Sequence, residues 1–199
     1  MIPIDPRHSL RREMRDLRKA LAPMQRMQAA EAVAARLQSL DAFRSAHDIA
    51  VYFAVQGELP LLHTVNAARS SGKHLWMPVV RDDGALGFAP WSAAAPMQAN
   101  RFGIPEPVVA ISSWRSGMEL DLVLLPLLAF DRSGNRLGTG AGYYDRSFAA
   151  LTQGQRPRQP ILVGVAYAAQ EVPMIAAESW DVRLDYVITE REMIMVDHL

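Results

Sequence analysis

Leu120-Asp121-Leu122-Val123-Leu124-Leu125-Pro126-Leu127-Leu128 is the strongest apolar stretch of the chain, and Asp131 marks its end. Residues apolar at successive rather than alternate positions predict a strand buried on both faces, and so one at the centre of a covered sheet. Working outward, 48–53, 74–80, 161–166 and 186–189 have the same character, with 86–91 a weaker version. The stretch 186–189 is taken as the last strand. Helical spacing fills the gaps. Leu10, Met14, Leu17 and Leu21 recur every three or four residues over 9–22, with Ser9 as the expected N-cap. Pro23 opens a helix over 24–40. Leu61, Leu62, Val65 and Ala68 mark a helix over 60–71 that Gly72 ends, and Tyr143 to Leu151 forms another. This alternation predicts an α/β fold: a mostly parallel open sheet with helices on both faces, Rossmann-like and three-layered, with residues 1–199 as a single domain. Such sheets bind ligands beyond the carboxyl ends of their strands. That rule singles out Glu58, Asp131 with the glycine loop after it, and Gln170.

Half of the 199 residues are hydrophobic and 21% are charged, the profile of a soluble globular chain that needs no disulfide or metal staple. The absence of cysteine excludes a disulfide scaffold, a thiolate zinc site and a cysteine nucleophile, and fits a reducing, cytoplasmic setting. Net charge is zero, which disfavours a nucleic-acid partner. Yet residues 7–19 gather Arg7, Arg11, Arg12, Arg15, Arg18 and Lys19 against Glu13 and Asp16, a local density suited to a small polyanion. No apolar run approaches the ~20 residues that span a bilayer, so no membrane partner is expected. His8, His47, His63, His74 and His198 lack metal-ligand spacing. The tryptophans read as core.

The chemistry lies in 129–146, AFDRSGNRLGTGAGYYDR. Gly138, Gly140 and Gly142 let the backbone approach a ligand and adopt positive φ, and successive N–H groups then form a concavity for phosphate oxygens. Arg136 offers a permanently charged donor fork. Asp145 offers a hard oxygen of the kind Mg²⁺ prefers. On the residues alone two readings stay open: a phosphate cradle, or a tight turn with Arg136 as a solvated charge.

The order aromatic-Asp, Gly, then Arg136-Leu137-Gly138-Thr139-Gly140-Ala141-Gly142-Tyr143-Tyr144-Asp145 resembles the signature of the 5-formyltetrahydrofolate cyclo-ligase family. Thr139 stands where many members of that family have Arg or Lys, and Ala141 where many have Gly or Lys. Arg11-Arg12-Glu13-Met14-Arg15 resembles its opening basic helix, Gln56-Gly57-Glu58 its substrate-side acid, 101–107 its Gly-Ile-x-Glu-Pro segment, and 164–185 its closing block. The resemblance implies ATP binding by Arg11, Arg12, Arg15 and the loop from Arg136 and Leu137 through Gly138, Thr139, Gly140, Ala141 and Gly142 to Tyr143 and Tyr144. It implies Mg²⁺ ligation by Asp145 and Asp181, catalytic roles for Arg136 and Tyr144, and substrate contacts from Phe53, Glu58 and Tyr143. The implied reaction closes 5-formyltetrahydrofolate, with or without a polyglutamate tail, to 5,10-methenyltetrahydrofolate at the expense of ATP. A monomer is expected.

Overall fold

A computed structural model of the chain describes residues 6–153 and 156–198. Helices α1 (Pro6–Ala20), α2 (Pro23–Ser39) and α3 (Asp41–Ser45) precede strand β1 (Asp48–Ala50), and α4 (Leu62–Ser70) leads to β2 (His74–Val80) and β3 (Leu86–Pro90). A hairpin of β4 (Met97–Ala99) and β5 (Pro105–Pro107) follows, then β6 (Leu122–Pro126) and the short pair β7 (Ala129–Phe130) and β8 (Arg136–Leu137). The chain ends through α5 (Tyr143–Ser147), β9 (Ile161–Val165), β10 (Tyr186–Ile188) and β11 (Met193–Met195).

One sheet has the strand order β11-β10-β9-β6-β1-β2-β3, which puts β6 in the middle as its sequence requires. The five inner strands run parallel, while β3 and β11 are antiparallel edges. Side chains of β6 alternate between two cores. Leu122 and Leu124 face α2 and α4, whereas Val123 and Leu125 meet Phe88, Phe148, Leu151 and Leu184 on the other side. On the first face, Ala29, Ala30, Val33 and Ala34 of α2 are small enough to bring the helix close to Thr64 and Ala68 of α4. The second face is covered by α5 and by short helical turns at 111–113, 117–119 and 149–152.

Chain direction creates the crevice. From β1 the chain moves outward to β2 and β3; from β6 it moves the opposite way to β9 and β10. Neighbouring strands whose connections diverge leave a gap at their carboxyl ends, the usual ligand position in an open α/β sheet. Here the gap lies between the segments following β1 and β6.

Several boundaries differ from those the sequence predicts. Ser9 is not an N-cap but lies inside α1, which begins at Pro6, where a proline's fixed φ suits a first turn. The apolar stretch 120–128 is a strand only over Leu122–Pro126; the carbonyls of Leu127 and Leu128 leave the sheet and accept from the Gln170 amide at 2.8 and 2.9 Å. The expected helix 143–151 stops at Ser147, because Phe148 turns its ring into the core and a 3₁₀ turn follows. The stretch 186–189 is not the last strand. The Thr189 hydroxyl accepts from the N–H groups of Arg191 and Glu192, and this turn sends β11 back along β10. No helix among the described residues is long and apolar enough to cross a membrane.

Candidate active site

At the sheet's switch point lies a cavity of about 420 Å³. Its floor and one wall come from the segment after β1, with Tyr52, Phe53, Val55, Gln56 and Glu58, and from Met77 and Pro78 of β2. The opposite wall is the glycine loop with Arg136, Tyr143, Tyr144 and Asp145. The β4–β5 hairpin roofs it with Asn100, Phe102, Ile104 and Glu106. Arg101 in the hairpin donates to the Tyr143 hydroxyl at 3.0 Å, and the Phe102 and Tyr143 rings meet edge-on at 6.2 Å.

Arg136 is 6% exposed, so it is not the solvated charge of the plain-turn reading. Strand β8 carries it under the loop, where Nη1 donates to the Val182 carbonyl and Nη2 pairs with Asp145 Oδ1 at 2.7 Å. Val182 N–H also donates to Asp145 Oδ1, at 3.2 Å. These contacts fix the guanidinium's plane at the cavity wall.

Helix α1 holds the loop through two arginines, of which Arg15 also lines the cavity. Arg11 Nε donates to the Gly138 carbonyl at 3.1 Å and Arg15 Nη2 to the Thr139 carbonyl at 3.0 Å. From the far end, Arg146 Nη2 donates to the Ala141 carbonyl at 2.8 Å. In a trans peptide the C=O and the following N–H point in opposite directions. Each arginine that holds a carbonyl therefore leaves the following N–H pointing away from that arginine: those of Thr139, Gly140 and Gly142. Positive φ at Gly140 (+109°) and Gly142 (+68°) permits this turn sequence. The result is a set of donors with no protein acceptor, the arrangement that binds phosphate oxygens.

Arg12 sits one residue off this helix face and is exposed, away from the loop. Leu137 is core: its side chain is fully buried and its carbonyl accepts from Leu128 N–H at 2.7 Å. Asp131 and Gln170, both singled out by the strand-end rule, are structural. The Asp131 carboxylate accepts from the N–H groups of Ser133, Asn135 and Ile175 and from the Asn135 amide; Gln170 braces the end of β6. Only Glu58 of the three lines the cavity. It is 9% exposed, and burial raises its pKa, outweighing the opposing effects of the Val55 N–H and Arg18. Tyr144 is near both Glu58 and Arg136. Burial raises its hydroxyl pKa, Glu58 adds to the rise and Arg136 opposes it. Phe53 packs edge-on against Trp91 at 5.3 Å while lining the cavity. Trp180 is 63% exposed rather than core.

Sequence reasoning assigned no site role to Arg7, Arg18, Asn100, Phe102 or Glu106. Arg7 and Arg18 share the face of α1 that carries Arg11 and Arg15, a signal available in the spacing 7, 11, 15, 18. Asn100 donates to Glu106 at 2.8 Å and thereby shapes the roof, but the three-residue strands on either side of it give no periodic signal.

Among the described residues no three His, Cys, Asp or Glu side chains are placed to hold a metal by themselves. Asp145 lines the cavity, and both of its hydrogen bonds fall on Oδ1. Asp181 is held by Arg7 at 2.9 Å and by the Glu178 N–H at 2.9 Å, and does not line the cavity. This donor set fits Mg²⁺, which takes one or two carboxylates and otherwise keeps waters and phosphate oxygens.

A parallel sheet with an acid and an aromatic slot on one side of its switch point, and a cradle of N–H groups on the other, defines an α/β enzyme. The 5-formyltetrahydrofolate cyclo-ligase family model matches residues 4–190, and the chain belongs to that family. A 5-formyltetrahydrofolate cyclo-ligase of Haemophilus influenzae is 35% identical over 180 residues, covering 89% of this chain and 94% of its own. One from Escherichia coli is 32% identical, covering 88% and 96%. The structure of Aquifex aeolicus 5,10-methenyltetrahydrofolate synthetase superposes with a TM-score of 0.82 at 28% identity, over 97% of this chain and 94% of that one. Membership makes the chain a ligase of folate metabolism.

Proposed function

We propose that the chain converts 5-formyltetrahydrofolate to 5,10-methenyltetrahydrofolate with ATP and Mg²⁺, releasing ADP and phosphate through a phosphorylated formyl intermediate. The observation that carries this reading is the two-sided cavity. One side, with Phe53, Met77 and Glu58 under the roof that carries Phe102, suits a flat, polar-edged ring system; the other suits a polyphosphate.

A formamide is a poor electrophile, and its oxygen a poor leaving group. Transfer of the terminal phosphoryl group to the formyl oxygen removes both obstacles. N10 of the folate then attacks the formyl carbon, and loss of phosphate closes the ring. Positioning and charge neutralisation supply most of the catalysis in such transfers. The N–H groups of Thr139, Gly140 and Gly142 hold phosphate oxygens, and Arg136 meets the charge that builds on the transferred group. Glu58 Oε1 accepts from the substrate ring. The Tyr144 hydroxyl stays protonated and donates. Held by Asp145, with Asp181 joining if it exchanges Arg7 for the ion, Mg²⁺ would neutralise phosphate charge. No protein nucleophile is needed. The proposal extends to a cytoplasmic, monomeric enzyme built as one domain; a chain without cysteine fits a reducing cytoplasm.

The test follows near-ultraviolet absorbance of the methenyl product from purified protein, 5-formyltetrahydrofolate, ATP and Mg²⁺, with each omitted in turn. Product that requires all of them is expected. Product without ATP, or none from folded protein, overturns the reading. Phe102→Ala opens the roof: KM for the folate is expected to rise several-fold, while the lost ring pair, worth about 0.5–1.5 kcal/mol, lowers Tm by only about 2–5 °C.

A further inference from the structure

Arg18 is 1% exposed, yet it does not line the cavity. Its Nη1 donates to the Leu127 carbonyl at 3.2 Å and lies 3.7 Å from Glu58 Oε1. Neither Nε nor Nη2 has a hydrogen-bond partner. A guanidinium buried this completely, with one hydrogen bond, leans on its carboxylate neighbour for charge balance. Glu58 is disposed accordingly. Its Oε2 accepts from Val55 N–H at 3.1 Å, its backbone carbonyl from the Tyr167 hydroxyl at 3.3 Å, and its Oε1 from no protein donor. Oε1 is thus an acceptor that no protein donor fills, on a residue that lines the cavity, with the Arg18 charge 3.7 Å away.

We propose that Arg18 is a positioning residue: without touching the ligand, it keeps Glu58 Oε1 a charged, aimed acceptor for the folate ring. The inference rests on the folate reading of the cavity above.

The groups that face the pair agree. Around it stand the phenols of Tyr52 after β1, Tyr144 on α5 and Tyr167 after β9, with Arg15 one turn away on α1. Burial keeps all three phenols protonated, so Arg18 is the charge that opposes protonation of Glu58. The same helix holds the glycine loop through Arg11 and Arg15 and the substrate-side acid through Arg18. One rigid element therefore sets the spacing between the phosphate cradle and the folate acceptor.

Two readouts test this on the full-length chain. In the first, NMR titration of carbon-13-labelled glutamate, resolved by comparison with Glu58→Gln, follows the Glu58 carboxyl without any ligand. Arg18→Met should raise its pKa by about one unit or more, and Arg18→Lys, which keeps the charge, should leave it near the wild-type value. In the second, 5-formyltetrahydrofolate affinity without ATP is measured from mildly acidic to mildly alkaline pH. Wild-type affinity should fall as pH drops through the Glu58 pKa. In Arg18→Met the fall should begin at higher pH, by the same shift, and KM for ATP should not move. Should Arg18→Met not fold, Arg18→Met/Glu58→Gln leaves a neutral pair, and its folate affinity should be weak and without the acid fall. A folded Arg18→Met with the wild-type Glu58 pKa, or an acid fall that persists in the double variant, overturns the proposal. Wild type that binds no folate defeats the functional reading instead, and the ligand-free titration then still decides whether Arg18 holds Glu58 charged.

Discussion

Arg136→Ala is expected to lower kcat/KM for methenyl formation by about 10²–10³-fold, the usual loss when a donor aimed at developing charge is removed. The side chain is buried between the Val182 carbonyl and Asp145 and reaches the cavity from beneath the loop, so water cannot replace it in the same geometry. Stability should fall as well, by about 3 kcal/mol, the lower end for breaking a buried ion pair because Asp145 remains partly exposed. Arg136→Lys should recover much of the stability and little of the activity. An ammonium supplies the charge but cannot bridge a carbonyl and a carboxylate with one planar fork. Steady-state kinetics beside thermal melts separate the two effects. An alanine variant within tenfold of wild type would remove Arg136 from the phosphate site.

Gly134→Ala should be the most damaging small change to the fold. Gly134 has φ +81° in the turn between β7 and β8, and an added Cβ would lie 2.7 Å from Val196 Cγ1 and 2.9 Å from the Leu184 carbonyl oxygen. Left-handed backbone costs a non-glycine residue about 1–2 kcal/mol, and the backbone clash adds about 1–3 kcal/mol of overpacking. A loss of about 2–5 kcal/mol follows, or a drop in Tm on the order of 10 °C. Since this turn delivers β8, and with it Arg136, activity should fall even below the new melting point. Unchanged melting with unchanged kinetics would contradict the packing described around the turn.

The sheet was legible because its central strands are apolar on both faces, and 120–128 leaves few alternatives to a buried strand. Edges were less so. Met193-Ile194-Met195 has only three residues of alternation, and β4 and β5 are three residues each and bounded by prolines, too short for burial to leave a periodic imprint. In the site, the glycine loop could be read from composition and Glu58 from its place after a strand. The same rule misdirected attention to Asp131 and Gln170, since a polar residue beyond a strand satisfies backbone groups as readily as it meets a ligand. Arg18 was hidden in a cluster of like residues. Sequence shows six basic side chains on one helix, but only packing shows which is enclosed and which, like Arg12, faces water.

The glycine loop is fastened entirely by main-chain groups: carbonyls held by arginines on one side, N–H groups presented on the other. Side chains at 139 and 141 are exposed and carry none of that fastening. Substitution at these two positions, which both line the cavity, therefore changes the local field without redrawing the cradle.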